Sequence, residues 1–136
     1  MLFRSTRRSK AAQIAEAIRR NGDYRWVGVY DVSASEIAVI AWTGLAAPTY
    51  PRFPIDKGIS GAAVRSKATV IANDVNRDPR YLTTLDSTGA EMIVPVTIAD
   101  AVVGTIDIES ETTGRFDDAD RALIERCAAA IRPLWD

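Results

Sequence analysis

Residues 91–110, EMIVPVTIADAVVGTIDIES, alternate apolar and polar side chains on both sides of Ala99-Asp100-Ala101, the pattern of two β-strands folded back on each other. A one-residue slip in pairing would carry one strand's apolar set to the wrong face, so the pattern selects its own register, and a three-residue loop fits it best. In that register Met92, Val94, Val96, Ile98, Val102, Gly104, Ile106 and Ile108 make one apolar face that must lie against helices. The opposite face carries Glu91, Ile93, Pro95, Thr97, Val103, Thr105, Asp107 and Glu109, with Glu91 across from Glu109 and Asp107 one pair further in. Three carboxylates then crowd the open end of the hairpin.

Like charges facing each other across strands repel, so this arrangement calls for a compensating cation, a proton shared between carboxyls, or exposure to water. A polar outer face is ordinary on a half-buried antiparallel sheet. The hairpin by itself leaves water exposure and a binding site both open.

A chain of 136 residues, 47% hydrophobic, has the length and make-up of one globular domain. Its formal net charge of −1 gives no reason to expect a nucleic acid or a membrane as partner, and the basic run Arg4, Arg7, Arg8, Lys10 reads as a solvated approach to a helix. No apolar run approaches the roughly 20 residues that span a bilayer, and Met1-Leu2-Phe3 is too short for a signal-peptide core, so a cytoplasmic location is expected. The single cysteine, Cys127, excludes an internal disulfide. The absence of histidine excludes a Ser-His-Asp triad, a Cys-His pair and the usual zinc sites.

Outward from the hairpin, Ala11, Ile14, Ala15 and Ile18 have helical spacing and Asn21-Gly22 is a stop, which predicts a helix over residues 10–20. Its alanine-rich stripe suits either the sheet or a dimer seam. Trp26–Val32 and Ile37–Trp42 read as two antiparallel strands, with Trp26, Gly28 and Tyr30 on one face and Val27 and Val29 on the other. Gly28 between two large aromatics would leave space above the sheet. Residues 43–53 read as a loop because of Gly44, Pro48 and Pro51, and 59–66 as a short helix whose first amides, around Gly58, Ser60 and Gly61, are free to hold an anion or simply pack in a tight turn. Residues 68–72 form a short strand, and the turn-forming, threonine-rich stretch 73–90 is long enough to close over the carboxylate face. Asp117 caps a final helix running to about Arg132, where Pro133 stops it; Cys127 lies on its apolar stripe and reads as a small buried hydrophobe.

Helices at both ends of an antiparallel sheet make an α+β fold. The motifs that fill this order, Trp26-Val27-Gly28-Val29-Tyr30, Arg52-Phe53-Pro54, Gly58-Ile59-Ser60-Gly61-Ala62-Ala63, Asn73-Asp74-Val75, Glu91 with Ile93-Val94-Pro95, residues 104–110 and Gly114-Arg115-Phe116, resemble a GAF domain. Among such domains they are similar to the free methionine-(R)-sulfoxide reductases. The resemblance implies one GAF-like domain over residues 1–136, with a sheet core over 24–110 of about five to six strands, terminal helices on one face and a loop-covered pocket on the other. It also implies that the carboxylates of Glu91 and Asp107 line the pocket and hold an amino-acid ligand. The family's redox cysteines fall at Tyr50, at Ser60 and near Thr84, where this chain has no thiol.

The resulting expectation is a non-catalytic, sensory or regulatory small-molecule-binding domain. Its acidic pocket would suit an amine-bearing or amino-acid-like ligand and be lined by Glu91, Asp107, Glu109, Trp26, Tyr30, Trp42, Tyr50 and Ser60. The aromatics would supply apolar walls or cation-π contact. The resemblance also brings cyclic nucleotides and tetrapyrroles into view; the carboxylates argue against the first, and the lack of the usual cysteine or histidine against the second. No cofactor, no metal and no catalytic residue is expected, since a hard cation needs more oxygen ligands than the hairpin face obviously offers. The alternatives are a divergent reductase using Cys127 or an external thiol, and a structural module that dimerises through its terminal helices; a homodimer is expected in any case.

Overall fold

The computed structural model describes residues 2–136, with side chains from residue 7 onward. In chain order the elements are α1 (Leu2–Gly22), β1 (Trp26–Val32), β2 (Glu36–Thr43), β3 (Arg52–Pro54), α2 (Gly58–Ser66), β4 (Val70–Ala72), a 3-10 turn at Val75–Arg77, β5 (Ala90–Ile98), β6 (Ala101–Ser110), α3 (Asp118–Ala130) and a 3-10 turn at Arg132–Trp135. The strands form one six-stranded sheet in the order β3-β2-β1-β6-β5-β4, antiparallel throughout. Among the described residues no helix is long and apolar enough to cross a membrane.

The sheet divides two cores. On one face Ala11, Ala15 and Ile18 of α1 and Ile124 and Ala128 of α3 bury against Val27, Val29, Met92, Val94, Ile106 and Ile108. Alanines on α1 let its backbone approach the strands closely, so the stripe covers the sheet. On the other face Ile59 and Ala63 of α2 pack with Val75 and Ile93, and Trp26 and Tyr30 pack with Ile37. The alternation read in β1 and in the hairpin is what separates these two sets.

The central hairpin keeps the expected register by a different route. The turn has two residues, Ala99 and Asp100, both at positive φ (49° and 69°), not three. Those are the signs of a type I′ turn, which matches strand twist. Such a turn alone would shift the pairing by one, and a β-bulge between Val96 and Thr97 on one strand and Val102 and Gly104 on the other restores it. Val103 is the extra residue, so it packs against the helix-side core instead of lying on the polar face, while Val102 pairs with Thr97.

Other boundaries also differ. The first helix starts at Leu2 and not near residue 10, since the charged residues before it are good helix formers. Arg7 is not a solvated approach: its guanidinium takes both oxygens of Asp31 at 2.7 and 3.0 Å and its Nε donates to the Leu134 carbonyl at 2.8 Å. The side chain of Arg4, and the Met1-Leu2-Phe3 side chains, lie outside the described residues. Arg52–Pro54, expected as loop, is an edge strand on β2, a place where proline is tolerated. The strand expected over 68–72 is Val70–Ala72. At the C-terminus Asp117 caps α3 in a reciprocal box with Asp120, but the helix ends at Ala130, and Pro133 sits inside the following 3-10 turn.

That 3-10 turn lays Trp135 on Gly104, where an added Cβ would stand 2.2 Å from the indole and 2.7 Å from the Tyr30 carbonyl. Trp135 also donates from its ring nitrogen to Asp31 at 2.8 Å, so the close approach closes the Arg7–Asp31–Trp135 contact that ties both ends of the chain to β1. Gly104→Ala is expected to destabilise by roughly 1 to 3 kcal/mol through overpacking, and Gly104→Val by more. Denaturant titration of both variants measures it; unchanged midpoints would show that the tryptophan does not depend on the glycine.

Candidate functional site

Strand alternation places Thr105, Asp107 and Glu109 on the face of β6 away from the terminal helices, and pairing with β5 and β1 brings their neighbours. Glu91 lies opposite Glu109, Asp107 opposite both Ile93 and Gly28, and Trp26 opposite Glu109. The expected cluster therefore forms: an oxygen from each of Glu91, Asp107 and Glu109 lies within 4.8 Å of the others. Water exposure, the bland reading of the polar face, is excluded, since the three residues are only 3%, 2% and 1% exposed.

Loop residues close the site. Thr88 donates its hydroxyl to Glu109 at 2.8 Å and Thr84 donates to Glu91 at 3.4 Å. The Thr84 carbonyl in turn accepts two hydrogen bonds from Thr49, one from its amide and one from its hydroxyl, each at 2.9 Å. Segments 43–53 and 73–90 are thereby latched to one another above the carboxylates. These hydroxyls were hidden in a threonine-rich stretch whose role as a cover was legible although its individual contacts were not.

The partners given to the carboxylates are too few. Asp107 Oδ1, Glu109 Oε2 and the hydroxyl of Thr105 are buried without a hydrogen-bond partner. Burial is the first cause that raises the proton affinity of all three acids, and for Asp107 and Glu109 the mutual repulsion of the carboxylates adds to it, so that both lie well above the ordinary carboxylate range. Burial, with the neighbouring acids Asp107, Glu109 and Glu91 adding to it, pushes the Tyr30 hydroxyl well above its ordinary range.

All eight candidate residues share this side of the sheet, in two groups. Trp26 and Tyr30 are buried and fold their rings over Gly28, where an added Cβ would lie 2.6 Å from Trp26 and 2.8 Å from Tyr30. The space expected above the glycine is thus filled by its neighbours. Trp42 stacks on Trp26 with centroids 6.5 Å apart and is 37% exposed at the rim. Tyr50 and Ser60 line a cleft with Phe53, Leu82, Thr84 and Glu91, whose volume of about 10 Å³ holds one water at most. Of the amides expected to be free at the start of α2, that of Gly61 is used, bonding the Lys57 carbonyl at 2.9 Å. Cys127 is half-buried on α3, against the helix-side core, with the sheet between it and the carboxylates; burial raises its thiol pKa.

Residues 8–133 match the family model for the GAF domain. A free methionine-R-sulfoxide reductase of Saccharomyces cerevisiae is 32% identical over 113 residues, 80% of this chain and 62% of that protein. The enzyme of the same name from Escherichia coli is 23% identical over 82% of this chain and 67% of its own length. The chain thus spans about two thirds of the relatives it matches. Among solved structures, a type II free methionine-R-sulfoxide reductase from Thermoplasma acidophilum superposes with a TM-score of 0.91 at 26% identity, covering 97% of this chain and 94% of the other.

Carboxyls that gain proton affinity on folding bind more protons in the folded than in the unfolded chain, so their contribution is largest below the unfolded carboxylate range and is lost as pH rises. Stability is therefore expected to fall from about pH 5 to pH 8 on account of this cluster. Glu109→Gln should flatten that decline and melt at or above the wild-type temperature at pH 8, since it relieves repulsion without changing shape. Thermal melts across that range test it; a variant that melts several degrees lower at pH 8 would mean the charge is compensated in the fold.

Proposed function

The chain belongs to the GAF domain family, and from that premise we propose that it is a non-catalytic, small-molecule-binding domain of the cytoplasm whose acidic pocket takes an amine-bearing, amino-acid-like ligand. One observation carries this: three carboxylates are buried on one face of the sheet, and two of their oxygens have no partner. A buried anionic cluster of this kind is relieved by a cation, and an ammonium with three donors offers both charge and hydrogen bonds. Trp26 and Tyr30 beside it suit the apolar part of such a ligand. Because the cleft has room for no more than a water, binding requires the Thr49–Thr84 latch to open. Lack of catalysis is supported by the cleft lining: Tyr50, Ser60 and the stretch near Thr84 occupy the places where the resemblance puts redox cysteines, and none is a thiol. A hydroxyl there cannot form the sulfenic acid and disulfide that sulfoxide reduction by thiols passes through.

A divergent free methionine-(R)-sulfoxide reductase is the second reading, favoured by the yeast and Thermoplasma relatives. Cys127 cannot serve it without crossing the sheet, so this reading needs an external thiol. Assembly is a further part of the proposal: a homodimer whose seam is the outer side of α1 and the C-terminal turn, where Ile14, Ala17, Ile131 and Leu134 line an apolar groove. Light scattering at micromolar concentration should report twice the chain mass, and a monomer would refute the dimer.

Calorimetric titration with free methionine and its sulfoxide tests the ligand class. Affinity should rise with pH as the carboxylates ionise, and Asp107→Asn should weaken binding by roughly ten- to a hundredfold, the effect of removing one charge-assisted contact. Equal affinity in wild type and variant would overturn the role of the cluster. In a coupled assay with NADPH, thioredoxin and methionine-(R)-sulfoxide no turnover above blank is expected; turnover would replace the binding-only reading with the reductase.

A further inference from the structure

We propose that one end of the sheet carries a ligand site apart from the acids: a cavity between the C-terminus of α1, the end of β2 and the segment after β6, which takes a small organic anion, a carboxylate or phosphate with an apolar body. The cavity measures about 600 Å³, inside the roughly 300 to 1,000 Å³ usual for small-molecule sites, whereas the cleft beside Glu91 holds one water at most. No residue lines both. Arg19 of α1, Arg25 before β1 and Arg115 before α3 all line the cavity, so the fold brings three guanidinium groups to it from separate segments.

The three arginines are not equally engaged. Arg19 donates from Nη2 to Glu16 at 2.7 Å and from Nε to the Thr43 hydroxyl at 3.1 Å. Arg115 lies over the Tyr24 ring, 4.9 Å from its centroid, and donates to the Gly22 carbonyl at 3.0 Å and to Asp120 at 3.3 Å. Arg25, by contrast, pairs among the described residues with Glu111 alone, a half-exposed acid. Its Nε is the one buried side-chain nitrogen among the described residues that has no acceptor. A guanidinium presents its donors in a rigid fork that matches carboxylate and phosphate, and an exposed ion pair is held weakly enough to exchange. An incoming anion can therefore replace Glu111 and supply the acceptor that Arg25 lacks.

The surroundings set the ligand's chemistry. The C-terminal end of a helix repels anions through its free carbonyls, but here those of Arg19, Arg20 and Gly22 already accept from the Tyr24 amide, the Asp23 amide and Arg115. The acids on the wall are Asp23 and Glu111, against three guanidinium groups; Glu16 and Asp120 are further acids beside Arg19 and Arg115, held there by the hydroxyls of Thr43 and Tyr24. Once Glu111 has swung away from Arg25, the positive groups prevail. Leu45 also lines the cavity and is 74% exposed, an apolar surface for the body of the ligand that an inorganic ion would leave in water.

Heteronuclear NMR titration of the whole chain with phenyl phosphate, benzoate and inorganic phosphate tests the site. Phenyl phosphate or benzoate should shift the amides of residues 23–25, 43–45 and 110–112 saturably, and the tighter of the two identifies the head group. Inorganic phosphate should bind at least about threefold more weakly than phenyl phosphate, because it leaves Leu45 unused. Arg25→Gln should weaken the organic anions by at least about tenfold, the effect of removing a charge-assisted contact. Glu111→Gln should tighten them about two- to fivefold by removing the competing carboxylate, a gain that misfolding cannot produce. The site is overturned if none of the probes shifts those amides saturably up to about 10 mM, if Arg25→Gln binds as the wild type does, or if Glu111→Gln weakens binding. None of the probes carries an amine, so failure here leaves the amine pocket standing, and failure of the acids to bind an amine leaves this site standing.

Discussion

Burying three carboxylates against one another is unfavourable twice over, once for removing each from water and again for their repulsion, and the rest of this structure is arranged around tolerating it. The residues concerned lie on the two strands that make the longest hairpin of the sheet, so the backbone that carries them is among the least able to yield. Their positions depend on register, and register here rests on a turn and a bulge that act together. Without the bulge at Val103, the two-residue turn would place Glu91 against a different partner and turn one strand's apolar side chains away from the helices. Local geometry near residues 99–103 thus decides which charges meet at the far end of the hairpin.

The sheet separates work between its faces. Toward the terminal helices it offers an apolar surface filled by aliphatic and small side chains, and this core carries the stability. Toward α2 and the loops it offers a mixed surface where aromatic rings, threonine hydroxyls and acids meet. Stability from the first face is what allows an unfavourable cluster on the second. The cover over that cluster is held by a few hydrogen bonds, from Thr49 to Thr84 and from Thr84 to Glu91, too few to keep it from opening without unfolding the sheet.

The chain belongs to the GAF domain family, with free methionine-R-sulfoxide reductases among the relatives. In this chain the cleft beside Glu91 is lined by hydroxyls and the one thiol lies on the other side of the sheet. A strand layer therefore stands between the acids and the one thiol.

By itself the sequence determined the central hairpin, its register, the aromatic and aliphatic faces of β1, both terminal helices, and the meeting of Glu91, Asp107 and Glu109. All of these follow from side-chain periodicity, which strand and helix geometry convert directly into faces. It did not determine the edge strand at Arg52–Pro54, the early start of α1, or the turn and bulge that share the register between them. Three-residue edge strands carry too little periodicity to read, and a bulge is invisible to a pattern that a longer turn would satisfy equally. Only the tertiary structure decided that the acids are buried, because their cover comes from loops whose residues carry no period. It alone filled the space above Gly28, with the rings of Trp26 and Tyr30, and it alone placed the Thr84 and Thr88 hydroxyls on the acids, since contacts between separate segments depend on how the whole chain closes.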